Sequence, residues 1–181
     1  MEIIGVTNRK LCKDFYGRIR EISQSKIKYL ILREKDLVDE ELEIMAARIK
    51  GILKNSEINL IINGNIKVAD NVNAYGVHLS YNDFVNLDII EFQGIKGVSV
   101  HNYNEAVEAE KRGADYLIYG HIFETDCKKG LKPKGVDELK DICNKVKIPV
   151  YGIGGINKSN YMKVINSGAK GIALMSSLMN N

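Results

Sequence analysis

Three histidines, His78, His101 and His121, each fall at or just past a short apolar run, where an imidazole can meet a ligand. His121 stands apart because Gly120 precedes it and a polar stretch follows, Glu124-Thr125-Asp126-Cys127-Lys128-Lys129-Gly130. A neutral imidazole there can move a proton near neutral pH, and Lys128 or Lys129 can meet an anionic substrate. The other two suggest plainer roles. His78 lies between Val77 and Leu79 and reads as structural, and His101 begins a helix whose turn it can serve. No carboxylate stands at ligand spacing beside the three, so no metal site is expected. Cys127 has no evident base beside it and is a weak nucleophile candidate.

Two further groups suit an anion. Gly154-Gly155 and Ser176 follow the last two apolar runs, and paired glycines let backbone N–H groups approach oxygen atoms. Such a pair is often only a turn; both halves in barrel order favour phosphate binding. Arg33 and Lys35, at i and i+2, would point the same way in an extended chain and could face one anion. Asn63-Gly64-Asn65 offers polar groups at a flexible turn, with little specificity alone.

These residues need a scaffold that gathers run ends on one side. Eight apolar runs are present: Ile3–Val6, Tyr29–Leu32, Ile58–Ile62, Gly76–Leu79, Gly97–Val100, Tyr116–Tyr119, Val150–Ile153 and Gly171–Met175. Their near-continuous hydrophobicity predicts parallel strands covered on both faces. Helix patterns lie between them: Phe15, Ile19 and Ile22 share a face, as do Leu42, Met45, Ala46, Ile49, Ile52 and Leu53. Asn102 with Glu105 spells a capping box with Gly113 past the helix end, and Asn157 and Gly168 are expected to bracket the last helix but one. Repeated strand–helix units across residues 1–181 predict one α/β domain, a (β/α)8 TIM barrel. An open doubly wound sheet is the rival, and the lack of GxGxxG after the first run counts against it. The sequence runs only six residues past Met175, so the eighth helix is expected to be truncated or missing. Self-association is one way to cover the apolar surface that this would expose.

Composition narrows the partners. Net charge is +3, spread along 181 residues, which suits small anions better than nucleic acid, and no basic stripe or helix-turn-helix appears. Three cysteines without CxxC spacing fit a reduced, cytoplasmic setting. The start lacks a signal-peptide pattern, and no apolar run approaches the roughly 20 residues of a membrane span.

Together these motifs resemble the thiamine-phosphate synthase superfamily, and within it the TenI-type thiazole tautomerases. The likeness spans Leu32-Arg33-Glu34-Lys35, Ile62-Asn63-Gly64, Gly76-Val77-His78-Leu79, Val98-Ser99-Val100-His101, Gly120 to Gly130, Ile153-Gly154-Gly155 and Met175-Ser176. Synthases of the superfamily typically carry a Gln two residues before that Arg, where Ile31 stands here. They have Asn-Asp after the third strand, the Asp binding Mg2+, where Asn63-Gly64 stands. They spell Gly-Pro-Ile-Phe with Thr-x-Thr-Lys, where Gly120-His121-Ile122-Phe123 and Thr125-Asp126-Cys127-Lys128 stand.

The resemblance therefore implies an isomerase of thiamine biosynthesis that aromatises a small phosphorylated carboxythiazole. It implies His121 as general acid/base, Gly154, Gly155 and Ser176 around the phosphate, and Arg33, Thr125 and Lys128 on the carboxylate or ring side. Asn63 and Ser99 would supply polar contacts, with no cofactor. Synthase activity is not expected, because Gly64 removes a carboxylate that would hold Mg2+. The rivals are a Mg2+-dependent thiamine-phosphate synthase and a non-catalytic ligand-binding regulator. Glu124 to Lys134 is expected to act as a mobile lid.

Overall fold

The computed structural model describes residues 1–86 and 92–180. Eight parallel strands close into a barrel in sequence order. They are β1 (Glu2–Val6), β2 (Tyr29–Leu32), β3 (Asn59–Asn63), β4 (Gly76–Ser80), β5 (Ile95–Val100), β6 (Tyr116–Gly120), β7 (Val150–Ile153) and β8 (Gly171–Leu174). β1 pairs with both β2 and β8, which excludes the open sheet. The helices are α1 (Phe15–Ser23), α2 (Asp39–Leu53), α3 (Ile66–Asn71), α4 (Tyr81–Asn86), α5 (Tyr103–Lys111), α6 (Asp137–Lys145), α7 (Tyr161–Asn166) and α8 (Ser176–Met179).

Alternation along each strand sorts the apolar residues into two cores. Ile4, Val6, Ile31, Ile61, Tyr116, Ile118, Tyr151 and Ala173 fill the barrel interior. Their neighbours, such as Leu30, Leu32, Leu60, Ile62 and Leu117, point outward and pack with helix residues including Ile19, Ala46, Ile49, Val68 and Ile142. Burial on both faces is the physical reason the strands read as unbroken apolar runs. Aromatic rings plug the floor of the interior. Tyr116 stacks on Tyr29 at 6.3 Å and meets Tyr151 edge-on at 5.9 Å. The Tyr151 hydroxyl donates to Glu2, which also pairs with Lys28.

Side chains set the helix starts. Asp14, Asn65 and Asn102 each accept a bond from the backbone N–H three residues on, satisfying a donor the helix leaves free. Glu105 reaches back past Asn102 to the amide of His101. The expected bracket of α7 needs correction at its start: the cap position is Asn160, and Asn157 instead accepts from Ser159 in a preceding turn. Gly168 does follow the helix, at φ +94°. The last helix is a single turn, as expected. Its Met179 is fully buried, and the Leu178 carbonyl accepts from Arg18 Nε at 2.7 Å, so α8 fastens to α1. Among the described residues, no helix is long and apolar enough to cross a membrane.

Candidate active site

At the C-terminal ends of the strands the barrel mouth has two differently built halves. On the β2–β5 half, strand alternation carries side chains inward. Ile61 belongs to the interior, so Asn63, two residues on in β3, shares its side, and Arg33, just past β2, lies close enough for its charge to act on buried His78. His78 pairs in register with Asn63, and its two ring nitrogens span the interior. Nδ1 lies 3.0 Å from the Tyr116 hydroxyl and Nε2 lies 2.7 Å from Ser99 Oγ. Burial, and then the Arg33 charge, lower the His78 pKa to about 3, so the ring is neutral. Arg33, Asn63 and Ser99 are each half-buried at the mouth. Among the described residues, neither the Arg33 guanidinium nor the Asn63 amide side chain makes a hydrogen bond or ion pair. A half-buried cation without a protein partner suits an anionic ligand.

A clamp between β1 and β2 holds the start of this half. Buried Thr7 donates through Oγ1 to buried Glu34 at 2.8 Å and accepts from the Arg33 amide at 2.9 Å. Glu34 also accepts from the amide and guanidinium of Arg9, which continues to Asp36 with two bonds. The paired cations hold the Asp36 carboxyl well below its usual range. Sequence reasoning missed Thr7, Arg9 and Asp36; the polar residues directly after the first run were the available signal. Lys35 corrects a second expectation. β2 ends at Leu32 and the chain turns at Lys35, so alternation does not bring Lys35 in line with Arg33.

The β6–β8 half is built mainly from backbone. The Ile122 and Phe123 amides donate to the carbonyls of Ile153 and Gly154. Lys134 and Gly135 return to the carbonyls of His121 and Ile122, which closes the loop between β6 and α6. Gly154 and Gly155 have φ of +99° and +66°. A Cβ on Gly154 would overlap His121, and one on Gly155 would overlap the Phe123–Glu124 backbone. The glycines therefore seat the loop. Among the described residues, no protein acceptor takes their amides, which leaves them open to an anion.

His121 is half-buried in this loop with Nε2 3.3 Å from the Leu131 carbonyl. Thr125 precedes a single 3-10 turn (Asp126–Lys128) and its carbonyl accepts from the Lys128 amide at 3.0 Å. The Lys128 side chain is exposed. Cys127 Sγ lies 3.3 Å from Ser176 Oγ, so the loop reaches the start of α8. The structure thus brings His121, Gly154 and Gly155 together and joins the loop to Ser176. Arg33, Asn63 and Ser99 form the facing group, and no side-chain bond among the described residues joins the two groups. His101 is exposed and its amide is held by Glu105, consistent with a turn role.

The thiamine monophosphate synthase family pattern matches residues 3–178. The chain is 41% identical over 179 residues to a thiamine-phosphate synthase of Clostridium acetobutylicum, covering 96% of this chain and 85% of that protein. It is 37% identical to a thiamine-phosphate synthase of Fusobacterium nucleatum over 96% of this chain and 87% of that one. A solved thiamine phosphate pyrophosphorylase of Pyrococcus furiosus superposes with a TM-score of 0.88 at 32% identity, over 99% of this chain and 88% of that one.

These relatives overturn the isomerase expectation, and with it the tautomerase assignment and the expected lack of synthase activity. That expectation rested on Ile31, Gly64 and the spelling of the loop from His121 to Gly130. The likeness to the named synthases instead extends over 96% of the chain. One loop and one missing carboxylate do not outweigh it.

Proposed function

The chain belongs to the thiamine monophosphate synthase family, and from that premise we propose that it is a thiamine-phosphate synthase, a transferase. It would couple a thiazole phosphate to a hydroxymethylpyrimidine diphosphate. A bond forms between the thiazole nitrogen and the pyrimidine methylene carbon as the carbon–oxygen bond to diphosphate breaks, releasing that anion. The observation that carries this reading is the likeness to named synthases along nearly the whole chain. The mouth supports it with anion-binding groups on both halves.

The superfamily resemblance implies Mg2+ on the diphosphate. Mg2+ usually takes one or two protein carboxylates beside substrate oxygens. Among the described residues, Asp83 in the first turn of α4, just past β4, is the carboxylate that would hold it there. Gly64 stands at the end of β3, and Glu34 is committed to Thr7 and Arg9.

The chain's own residues bind and orient. Arg33 supplies a fixed positive charge where negative charge develops on the leaving diphosphate. Asn63 and Ser99 add polar contacts beside it. The amides of Gly154 and Gly155, with Ser176, receive the phosphate of the thiazole partner. Thr125 and Lys128 approach from the loop, and His121 lines the wall between the two anions. Holding both reactants in one orientation supplies much of the acceleration in a displacement of this type. The test is to incubate purified protein with both substrates, with and without Mg2+, and measure thiamine phosphate and diphosphate. Equal formation of both is expected; no coupling under either condition would sink the reading.

A further inference from the structure

We propose that His78 and Tyr116 are positioning residues that fix Ser99 as a hydrogen-bond donor into the barrel mouth, so that a bound ligand must present an acceptor there. The proposal rests on the mouth being the substrate site, as above.

The argument is one of counting protons. A neutral imidazole has one N–H and one bare nitrogen. His78 faces a hydroxyl at each end, Tyr116 at Nδ1 and Ser99 at Nε2, so two arrangements are available. In one, Nδ1 carries the proton, the Tyr116 oxygen accepts it, and the Tyr116 hydroxyl proton needs another acceptor. The ring is buried among Ile4, Ile31, Ile61 and Ile118, and His78 is its only hydrogen-bond partner among the described residues. The Gly97 side is closed as well, because even a Cβ there would overlap the Tyr116 ring and hydroxyl. That arrangement buries an unmade donor, which is costly.

In the other arrangement every buried group is matched. Tyr116 donates to Nδ1, Nε2–H donates to Ser99 Oγ, and the Ser99 hydroxyl proton is left to turn outward. Ser99 is half-buried and makes no other side-chain bond among the described residues, so that proton faces the mouth. Burial and the Arg33 charge keep the imidazole neutral, which preserves the single-proton count. Reversing the chain would turn the Ser99 proton toward His78 and offer lone pairs to the ligand. The direction therefore selects an acceptor, such as a phosphate oxygen or a ring nitrogen. It has the same polarity as the Arg33 charge beside it.

The first test reads the tautomer without substrate. The full chain carrying His101→Gln and His121→Gln leaves His78 as the only histidine. With 15N-labelled histidine, a long-range 1H–15N correlation spectrum at neutral pH distinguishes the two ring nitrogens. An Nε2–H tautomer is expected; an Nδ1–H tautomer or a rapid average of both overturns the proposal.

The second test reads function. Gln can place an amide N–H near the Nε2 position, whereas Asn is too short. Ser99→Ala and His78→Asn should each lower kcat about 10²-fold, with the double variant no worse than either alone. His78→Gln should stay within about tenfold of wild type. A His78→Asn variant that keeps its kcat while Ser99→Ala loses it overturns the positioning role. Absence of turnover in wild type overturns the synthase reading alone, since the tautomer decides this proposal without it.

Discussion

The two halves of the mouth solve one problem with different materials. On the β2–β5 half, polar side chains are held from below by buried partners: Thr7 on the Arg33 amide, and Tyr116 through His78 on Ser99. On the β6–β8 half, an exposed loop is seated by backbone bonds over two glycines. The first is part of the barrel core and opens only with it. The second can open locally beyond buried Ile122, because residues 124–134 are mostly exposed. A site that needs a fixed charge at one end and access at the other gains from this division.

The sharpest way to break the comparison is Arg33→Ala, which removes the unpaired cation from the rigid half. A loss of about 10²–10³-fold in kcat/KM is expected, as for deletion of one fixed electrostatic group. Arg33→Lys should restore it only in part, since a point charge lacks the guanidinium fork. Steady-state kinetics of coupling decide it; a loss below about tenfold would remove Arg33 from the site.

Acid tests the rigid half next. His78 has its folded pKa lowered to about 3, so between there and its unfolded value only the unfolded chain binds the proton. Stability should fall as pH drops below about 6.5, by up to about 1.4 kcal/mol per pH unit. Urea unfolding of wild type and His78→Gln across this range isolates the contribution. Equal slopes for the two proteins would refute it.

The loop half should fail differently. Gly155→Ala forces a side chain into the Phe123–Glu124 backbone at positive φ, at a cost of about 1–3 kcal/mol. Hydrogen exchange should quicken at the Lys134 and Gly135 amides while the β2–β5 strands stay protected. Uniform loss of protection would mean the halves are one cooperative unit. The smallest effect is expected from Lys128→Ala, a few-fold rise in KM with kcat unchanged, because the side chain is exposed and its attraction screened. Exchange across residues 124–134 should slow with saturating thiamine phosphate. Unchanged exchange would rule out a lid and drop Lys128 from the site.

The barrel was legible because strands buried on both faces leave apolar runs, and β2 and β7 match their predicted bounds. Alternation from Ile61 also puts Asn63, still within β3, on the interior side. Partnership was not legible. Thr7 meets Glu34 across 27 residues and His78 meets Tyr116 across 38, distances over which local pattern carries no information. Lys35 was misread because alternation holds only while the strand lasts, and β2 stops at Leu32. The activity was not legible for a related reason: Ile31, Gly64 and the loop after β6 depart from the synthase spelling, whereas the likeness to synthases runs along the whole chain.

Tyr116 belongs to both ends of the barrel. Its ring is a brick in the aromatic floor and its hydroxyl is the first link under Ser99. An engineer hardening this barrel against heat could not trade it for phenylalanine, because shape and stacking would survive while buried His78 Nδ1 lost its partner. Selection for heat resistance and selection for turnover would both refuse that change. The position thus marks where thermostability and chemistry draw on the same side chain, and Gly97, which makes room for it, inherits the same constraint.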